Sequence, residues 1–125
     1  MSKTEITELE VNGVTYVKKG TEKQDAQKLD GLEYKIIRGD RSGVFAGYVQ
    51  SQKDREVILL NSRRIWYWDG AASLSELAIE GTSNPSNCKF PCEVKKVQIL
   101  DAIEVIDCTE KARLSIQAVS VWSQN

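Results

Sequence analysis

The chain has 125 residues, a formal net charge of −1, three cysteines and no histidine. The absence of histidine excludes Ser–His–Asp and Cys–His nucleophilic sites and zinc sites with a histidine ligand. No run of about 20 apolar residues is present, which excludes a transmembrane helix. The opening residues, MSKTEITELEV, lack the apolar stretch of a secretory signal. An odd number of cysteines is typical of reduced thiols, so we predict a soluble cytoplasmic protein that does not contact membranes.

The first 31 residues are predicted to form a separate segment. Residues 9–16, LEVNGVTY, indicate a β-hairpin because Asn-Gly supplies the two positive-φ positions of a type I′ turn. Residues 18–31 are polar and indicate a connector. We therefore predict an N-terminal hairpin and connector over residues 1–31 and a single domain over residues 32–125.

Three strands are predicted next along the chain. They cover residues 32–39, 43–52 and 56–68, and the turn sequences GDRSG and KDR separate them. Because these connections are too short to hold a crossover helix, the strands are predicted to pair as an antiparallel meander.

Two capping boxes predict two short helices. Ser73 with Glu76 opens a helix over residues 73–81, and Asp107 with Glu110 precedes a helix over about residues 109–118.

Strand-like segments lie on either side of the second helix. Residues 94–108 indicate a strand with a kink at Asp101-Ala102, and residues 119–122 indicate a last short strand. The predicted fold class is α+β: an antiparallel β-sheet meander with two short helices and an N-terminal β-hairpin.

The end of the third strand carries two arginines and three aromatic residues in RRIWYW. Strand alternation places Arg63 and Arg64 on opposite faces. One interpretation is a core strand whose arginines lie over aromatic rings at the sheet edge. The other is a ligand site, in which a guanidinium binds phosphate, an aromatic ring binds a base, and the following helix start attracts an anion. Arg38, Arg64 and Trp68 are the candidates for such a site.

The charge distribution favours a small anionic ligand. Residues 34–64 hold seven lysines and arginines against three acidic residues, a local charge of +4, whereas the last 61 residues carry −3. A net charge of −1 argues against a protein that binds long DNA or RNA.

The three cysteines, Cys88, Cys92 and Cys108, do not have the ligand count of a closed zinc site, so buried reduced thiols are predicted. No phosphate-loop or dinucleotide motif is present. We predict no catalytic residues, no metal and no cofactor.

Four segments together resemble a group of small phage proteins that includes the Thoeris anti-defence signal sponges. These segments are IIRGDRSGVFAGYV, NSRRIWYWDGAASLSELAIEG, NPSNCKFPCEV and CTEKA, and the resemblance covers roughly residues 34–123. It implies a phage immune-evasion protein in the cytoplasm of the bacterial host. Such a protein binds and sequesters cyclic ADP-ribose isomers, or cyclic oligonucleotides, without degrading them.

The resemblance also implies site residues and an assembly. Asn84, Phe90, Thr109 and Arg113 correspond to ligand contacts, and the sites lie between protomers of a homo-oligomer, a dimer or a hexamer. Arg113 is expected to be exposed in the first turn of its helix. Its removal is therefore predicted to weaken ligand binding more than folding.

Two other hypotheses remain open from the sequence. The first is a phage inhibitor that acts through a protein–protein interface on a host defence protein, with Arg64, Trp66 and Trp68 as typical hot-spot residues. The second is a carboxylate–metal phosphodiesterase that acts on the same cyclic ligands.

Overall fold

The computed structural model describes residues 24–124, so the predicted hairpin at residues 9–16 lies outside the described residues. The elements, in chain order, are β1 (Tyr34–Gly39), β2 (Val44–Lys53), β3 (Glu56–Arg64), α1 (Leu74–Glu80), a 3₁₀ helix (Pro85–Asn87), β4 (Val94–Ile99), β5 (Ala102–Asp107) and α2 (Glu110–Ala118). Within residues 24–124 no helix is long and apolar enough to span a bilayer.

The strands form one five-stranded antiparallel sheet in the order β4-β3-β2-β1-β5. The first three predicted strands are the central meander of this sheet, and the two predicted helices are both present. The predicted α+β fold class is therefore confirmed for the described residues.

A single bent segment, β4 followed by β5, supplies both edges of the sheet. Both strands are antiparallel to their neighbours, so the chain continues in one direction through Leu100 and Asp101. In a flat sheet the two edges would lie about 19 Å apart, yet the three-residue step from Ile99 to Ala102 spans at most about 10 Å. The sheet must therefore curl until its edges meet at the bend, where the sequence predicted a kink.

Asp101 fixes this bend. Its carboxylate accepts hydrogen bonds from the Arg41 N–H at 2.8 Å and from the Ser42 hydroxyl at 2.5 Å. Those hydrogen bonds, that of Ser42 first, lower the pKa of Asp101 below its usual value. On the far side of the bend, the Ala102 N–H donates to the Arg55 carbonyl at 3.0 Å, which joins the start of β5 to the β2–β3 turn.

Two separate cores result from the curl and the strand alternation. One face of the sheet packs against both helices through residues that include Ile36, Leu77 and Ile116. The other face folds onto itself around residues that include Ile37 and Phe45. Neighbouring residues such as Ile36 and Ile37 thus lie in different cores, as a period of two requires.

The predicted third strand ends early. β3 ends at Arg64 rather than at residue 68, because β2 begins at Val44, whose carbonyl accepts the Ile65 N–H at 2.8 Å. Beyond that point Trp66 and Tyr67 pair with Lys89 instead of with β2.

The predicted cap of the second helix is also wrong. Ser73 caps α1 as predicted, and its Oγ accepts the Glu76 N–H at 3.1 Å. At α2 the cap is Thr109, whose Oγ1 accepts the Ala112 N–H, whereas Asp107 ends β5 and pairs with Lys35 at 3.1 Å. Because Asp107 belongs to β5, it does not cap α2.

The predicted strand at residues 119–122 is replaced by a single parallel β-bridge between Phe90 and Val121.

At the other end of the domain, residues 24–26 are attached to the start of α2. The Glu110 N–H donates to the Gln24 carbonyl at 2.8 Å, and the Ala26 N–H donates to the Cys108 carbonyl at 3.0 Å.

Candidate functional site

The two arginines at the end of β3 lie on opposite faces of the sheet, as the alternation predicted. Arg63 pairs with Ala46 on the helix-covered face, and Arg64 pairs with Phe45 on the other face. Both guanidinium groups lie over aromatic rings: Arg63 is 5.6 Å from the Phe90 centroid and Arg64 is 4.4 Å from the Phe45 centroid. The cation–π interpretation therefore describes both arginines.

Arg63 is a buried structural residue. Only 5% of it is exposed, and its guanidinium donates to five main-chain carbonyls, those of Phe90, Pro91, Ile116, Val119 and Ser120. Burial lowers its pKa from the ordinary value, but an arginine remains protonated at physiological pH. Arg63 therefore joins the end of α2 and the chain after it to the sheet.

Three exposed arginines, Arg38, Arg41 and Arg64, lie at one end of the sheet, which we call the arginine end. Arg38 and Arg64 flank β2 at its first two residues, so their main chains lie about 10 Å apart. Arg41 lies in the turn between β1 and β2. Arg38 pairs with Val44 on the helix-covered face and Arg64 pairs with Phe45 on the other face, so the two side chains leave this end of the sheet on opposite faces.

Two of these arginines, Arg38 and Arg64, already make polar contacts within the protein. The Arg64 Nη1 donates to the Ser42 carbonyl at 2.5 Å, and the Arg38 Nε lies 3.3 Å from a Glu104 carboxylate oxygen. The other N–H groups of Arg64 have no acceptor within residues 24–124. Arg64 is therefore oriented by Phe45 and Ser42 and keeps donors for a ligand.

Trp68 and Asn84 lie in one hydrogen-bonded loop around Asp69. The Asn84 amide donates to the Asp69 carboxylate at 2.8 Å, the Asn87 amide donates to it at 2.9 Å, and the Trp68 indole donates to the Ala71 carbonyl at 3.1 Å. Hydrogen bonds from Asn87 first, and from Asn84, lower the pKa of Asp69. The loop uses both candidate residues for its own structure.

Phe90 is fully buried in the core under the helices. Its ring carries Arg63, and its carbonyl accepts N–H groups from Arg63 and Trp122. The Phe90 ring is therefore part of the core beneath Arg63 and does not reach solvent.

Thr109 and Arg113 lie together at the start of α2. The Thr109 hydroxyl donates to the Ile79 carbonyl at 2.6 Å, so it fastens α2 to the end of α1. Arg113 makes a two-pronged pair with Glu110, at 2.9 and 2.6 Å, and also donates to the Tyr48 hydroxyl at 3.2 Å and to Gln117 at 3.1 Å.

The expectation that Arg113 is exposed was wrong. Its side chain is only 12% exposed, because it fills the space between α2 and the Tyr48 ring of β2. Its hydrogen bonds, that to Glu110 first, raise its pKa above the ordinary value. Arg113 thus stabilises the packing of α2 on the sheet.

Replacing Arg113 with methionine is expected to lower the free energy of unfolding by about 2–3 kcal/mol. The change removes charge-assisted hydrogen bonds and leaves the Glu110 carboxylate without its partner. Urea unfolding measures the effect, and Arg41→Met, which removes an exposed arginine, is the matched control. Equal stability of the two variants would contradict a structural role for Arg113.

The Glu110–Arg113 pair is also expected to make stability depend on pH. The hydrogen bonds from Arg113 lower the pKa of Glu110 below its ordinary value. The pair therefore stabilises the protein fully above about pH 4.5, and this contribution is lost as the pH falls through the lower folded pKa. The difference in unfolding free energy between wild type and Glu110→Gln should be about 1.5 kcal/mol at pH 7 and should shrink as the pH falls through the lowered pKa of Glu110. Urea unfolding at several pH values tests this, with the exposed Glu56→Gln as control; a pH-independent difference would contradict it.

A second exposed surface, the aromatic surface, was only partly anticipated. It consists of Trp66, Tyr67, Lys89 and Trp122. Trp66 and Trp122 stack with centroids 5.1 Å apart and planes 22° apart, although 56 residues separate them along the chain. The sequence offered Trp66 as a hot-spot residue, but nothing in it indicated that Trp122 or Lys89 lies beside Trp66.

The candidate residues therefore fall into separate places. Arg38 and Arg64 lie on opposite faces at the arginine end, Trp68 and Asn84 share the Asp69 loop, and Thr109 with Arg113 lies at the start of α2. Tyr34 of β1 pairs with Tyr48 of β2, at the end of these strands that is opposite to Arg38. Because Arg113 contacts Tyr48, α2 begins at the far end of the sheet from the arginine end.

A cleft of about 110 Å³ lies beside β1 and β5 and is lined in part by Lys35, Asp107 and Cys108. This volume is below the range of about 300–1,000 Å³ that is typical of small-molecule sites. Lys35 pairs with Asp107 inside the cleft, and burial raises the pKa of the Cys108 thiol to about 12.

All three cysteines are free, with Cys88 and Cys108 buried as predicted but Cys92 exposed.

A family model described as a domain of unknown function (DUF6948) matches residues 32–116, about two thirds of the chain. The chain belongs to this family. The family domain contains all five strands, α1 and most of α2, and it ends before Trp122. No curated protein and no solved structure matches the chain significantly.

Proposed function

We propose that the protein binds a cyclic nucleotide immune signal and sequesters it without degrading it. The ligand is a cyclic ADP-ribose isomer or a cyclic oligonucleotide, and the protein acts as a phage anti-defence protein in the cytoplasm of the bacterial host. The resemblance of four sequence segments to the Thoeris signal sponges supports this proposal, and one structural observation carries it.

That observation is the arginine end of the sheet. The Arg64 guanidinium rests on Phe45 and retains free N–H donors, with Arg41 exposed nearby and Arg38 across β2. A guanidinium group matches phosphate oxygens through paired hydrogen bonds. A phosphate of a small cyclic ligand can accept hydrogen bonds from the free N–H groups of Arg64, whereas a long polyanion would require a longer basic surface.

The pKa shifts of five titratable groups among the described residues do not suit general acid–base catalysis. Burial raises the pKa of Tyr34 and of Cys108, and hydrogen bonds lower the pKa of Asp69, Asp101 and Glu110. These shifts move each group away from neutral pH, whereas a general acid or base works best with a pKa near the working pH.

Release of intact ligand tests this proposal. The protein is incubated with cyclic ADP-ribose or with a cyclic di- or trinucleotide, separated from free ligand, and then heated to denature it. We expect the heated sample to release unaltered ligand. Altered ligand would indicate an enzyme and contradict the proposal, and no uptake of any of these probes would contradict it as well.

Arg64→Ala is expected to weaken this uptake by about tenfold to a hundredfold. A charge-assisted hydrogen bond to phosphate contributes roughly 1.5–3 kcal/mol. Lys53→Ala, at the other end of β2, removes an exposed cation and is the matched control. Calorimetric titration measures both affinities, and equal affinity of the two variants would remove Arg64 from the site.

We further propose that the protein is a homo-oligomer, a dimer or a hexamer. Within residues 24–124 no further strand pairs with β4 or β5 at the two edges of the sheet, and this bent segment exposes Val94, Leu100 and Ile103, with Leu100 66% exposed. Open edges and exposed aliphatic side chains favour association between copies. Light scattering that shows a monomer of about 14 kDa at micromolar concentration would contradict this.

A second candidate function is inhibition of a host defence protein through a protein–protein interface. The exposure of Trp66, at 58%, favours it, because tryptophan is enriched among interface hot spots. Binding of a host protein without uptake of any cyclic nucleotide would support this alternative.

A further inference from the structure

The aromatic surface is held in place by main-chain pairing. The Lys89 N–H donates to the Tyr67 carbonyl at 2.8 Å, and the Lys89 carbonyl accepts N–H groups from Trp66 and Tyr67. The Trp122 N–H donates to the Phe90 carbonyl at 2.9 Å, which places its indole against that of Trp66. Three segments that are distant along the chain thus present one aligned group of rings.

The aromatic surface combines flat apolar area with one unneutralised charge. Trp66, Tyr67 and Trp122 are 58, 44 and 42% exposed. The Lys89 ammonium lies 5.5, 5.9 and 5.7 Å from their respective ring centroids, and no carboxylate within residues 24–124 pairs with it. An apolar partner alone would leave this ammonium without a counter-charge.

The charge distinguishes between possible occupants. A second copy that docks with two-fold symmetry on this surface would bring two Lys89 ammonium groups together, which is unfavourable. A ligand that joins a flat ring system to an anionic group satisfies both features, because the ring stacks on an exposed indole and the anion neutralises Lys89. Aromatic side chains beside cationic groups bind bases in this way without selecting a particular base.

We propose that the Trp66–Trp122 pair is a stacking platform for a nucleobase and that Lys89 binds the phosphate attached to it. The identification of the flat anion as a nucleotide rests on the proposed function. The Cα atoms of residues 64 and 66 lie at most about 7 Å apart, so the proposed platform begins two residues after Arg64. Trp122 lies beyond the part of the chain that the family model matches, so this chain adds half of the platform outside the family domain.

The proposal predicts that binding depends on the base and on both tryptophans. The probes are adenosine monophosphate and ribose 5-phosphate, which differ by the base, together with cyclic ADP-ribose. Tryptophan fluorescence reports stacking, and calorimetry reports affinity. The variants are Trp66→Ala, Trp122→Ala and Lys89→Gln, and Leu114→Ala is the control because it removes an exposed apolar side chain on α2, away from the aromatic surface.

We expect adenosine monophosphate to quench the wild-type fluorescence saturably and ribose 5-phosphate to have no such effect. Trp66→Ala and Trp122→Ala should each weaken binding of the base-containing probes by about tenfold. Lys89→Gln should weaken binding of adenosine monophosphate and make it less sensitive to salt. Leu114→Ala should match the wild type.

The outcomes separate this inference from the proposed function. Uptake of cyclic ADP-ribose that is unchanged in both tryptophan variants would overturn the platform and leave the proposed function standing. No uptake of cyclic nucleotides, with adenosine monophosphate binding that requires Trp122 and Lys89, would support the platform and overturn the proposed function. A glutamate-rich peptide that binds in place of adenosine monophosphate would overturn the platform in favour of an acidic protein partner. The absence of all binding would overturn both.

Discussion

Replacing Arg63 with methionine is expected to lower the free energy of unfolding by about 3–5 kcal/mol, a large part of the 5–15 kcal/mol typical of a domain. Methionine fills much of the same volume but donates no hydrogen bond. The five carbonyls that Arg63 serves would lose their donor in a region that water reaches poorly. Chemical unfolding followed by tryptophan fluorescence measures the change.

Two further variants make this expectation specific to the geometry. Arg64→Met removes the neighbouring arginine, which is exposed and makes one main-chain hydrogen bond, so it should cost less than about 1 kcal/mol. Arg63→Lys keeps the charge but offers three donors instead of five, so its stability should lie between methionine and wild type. Similar stability of Arg63→Met and Arg64→Met would contradict the structural role of Arg63.

The Arg63 variants are also expected to disturb the aromatic surface. Arg63 donates to the Val119 and Ser120 carbonyls just before Trp122, and to the Phe90 carbonyl that also accepts the Trp122 N–H. Loss of this arginine should loosen the chain that carries Trp122. Even at low temperature, where the variant is folded, its tryptophan fluorescence should differ from that of the wild type.

Replacing Gly70 with alanine is expected to destabilise the protein by about 3 kcal/mol. Gly70 has φ +84°, a conformation that costs other residues about 1–2 kcal/mol. A Cβ atom there would also lie 2.6 Å from the Thr82 hydroxyl and 2.7 Å from the Ser83 nitrogen, and would overlap the Asn84 nitrogen. Because two of these atoms belong to the main chain, the loop around Asp69 must move, which adds a further 1–3 kcal/mol.

Gly31 provides the control for this substitution. Its φ is +81°, nearly the same as that of Gly70, but a Cβ atom there would meet nothing within 4 Å. Gly31→Ala should therefore show the conformational cost alone. Thermal unfolding should place the melting temperature of Gly70→Ala lower than that of Gly31→Ala by several degrees. Equal melting temperatures would show that the loop absorbs the extra atom.

The sequence by itself determined the local features of this fold. Turn residues separated β1, β2 and β3, a period of two placed Arg63 and Arg64 on opposite faces, and Ser73 marked the start of α1. These features depend on the main-chain torsions and side-chain directions of residues close along the chain, which local rules describe well. For the candidate site, the sequence located the arginines that form the arginine end, because a short turn necessarily brings their strands together.

Only the tertiary structure decided what lies next to what over long distances. The sequence indicated the bend at Asp101, but not that the chain crosses there from one edge of the sheet to the other. It indicated an exposed Arg113, whereas the packing of α2 on Tyr48 buries that side chain. It gave no sign that Trp122 stacks on Trp66. Such neighbours are selected by the burial and hydrogen bonding of the whole domain, and residues far apart in sequence acquire their environment only when the sheet has curled and the helices have packed onto it.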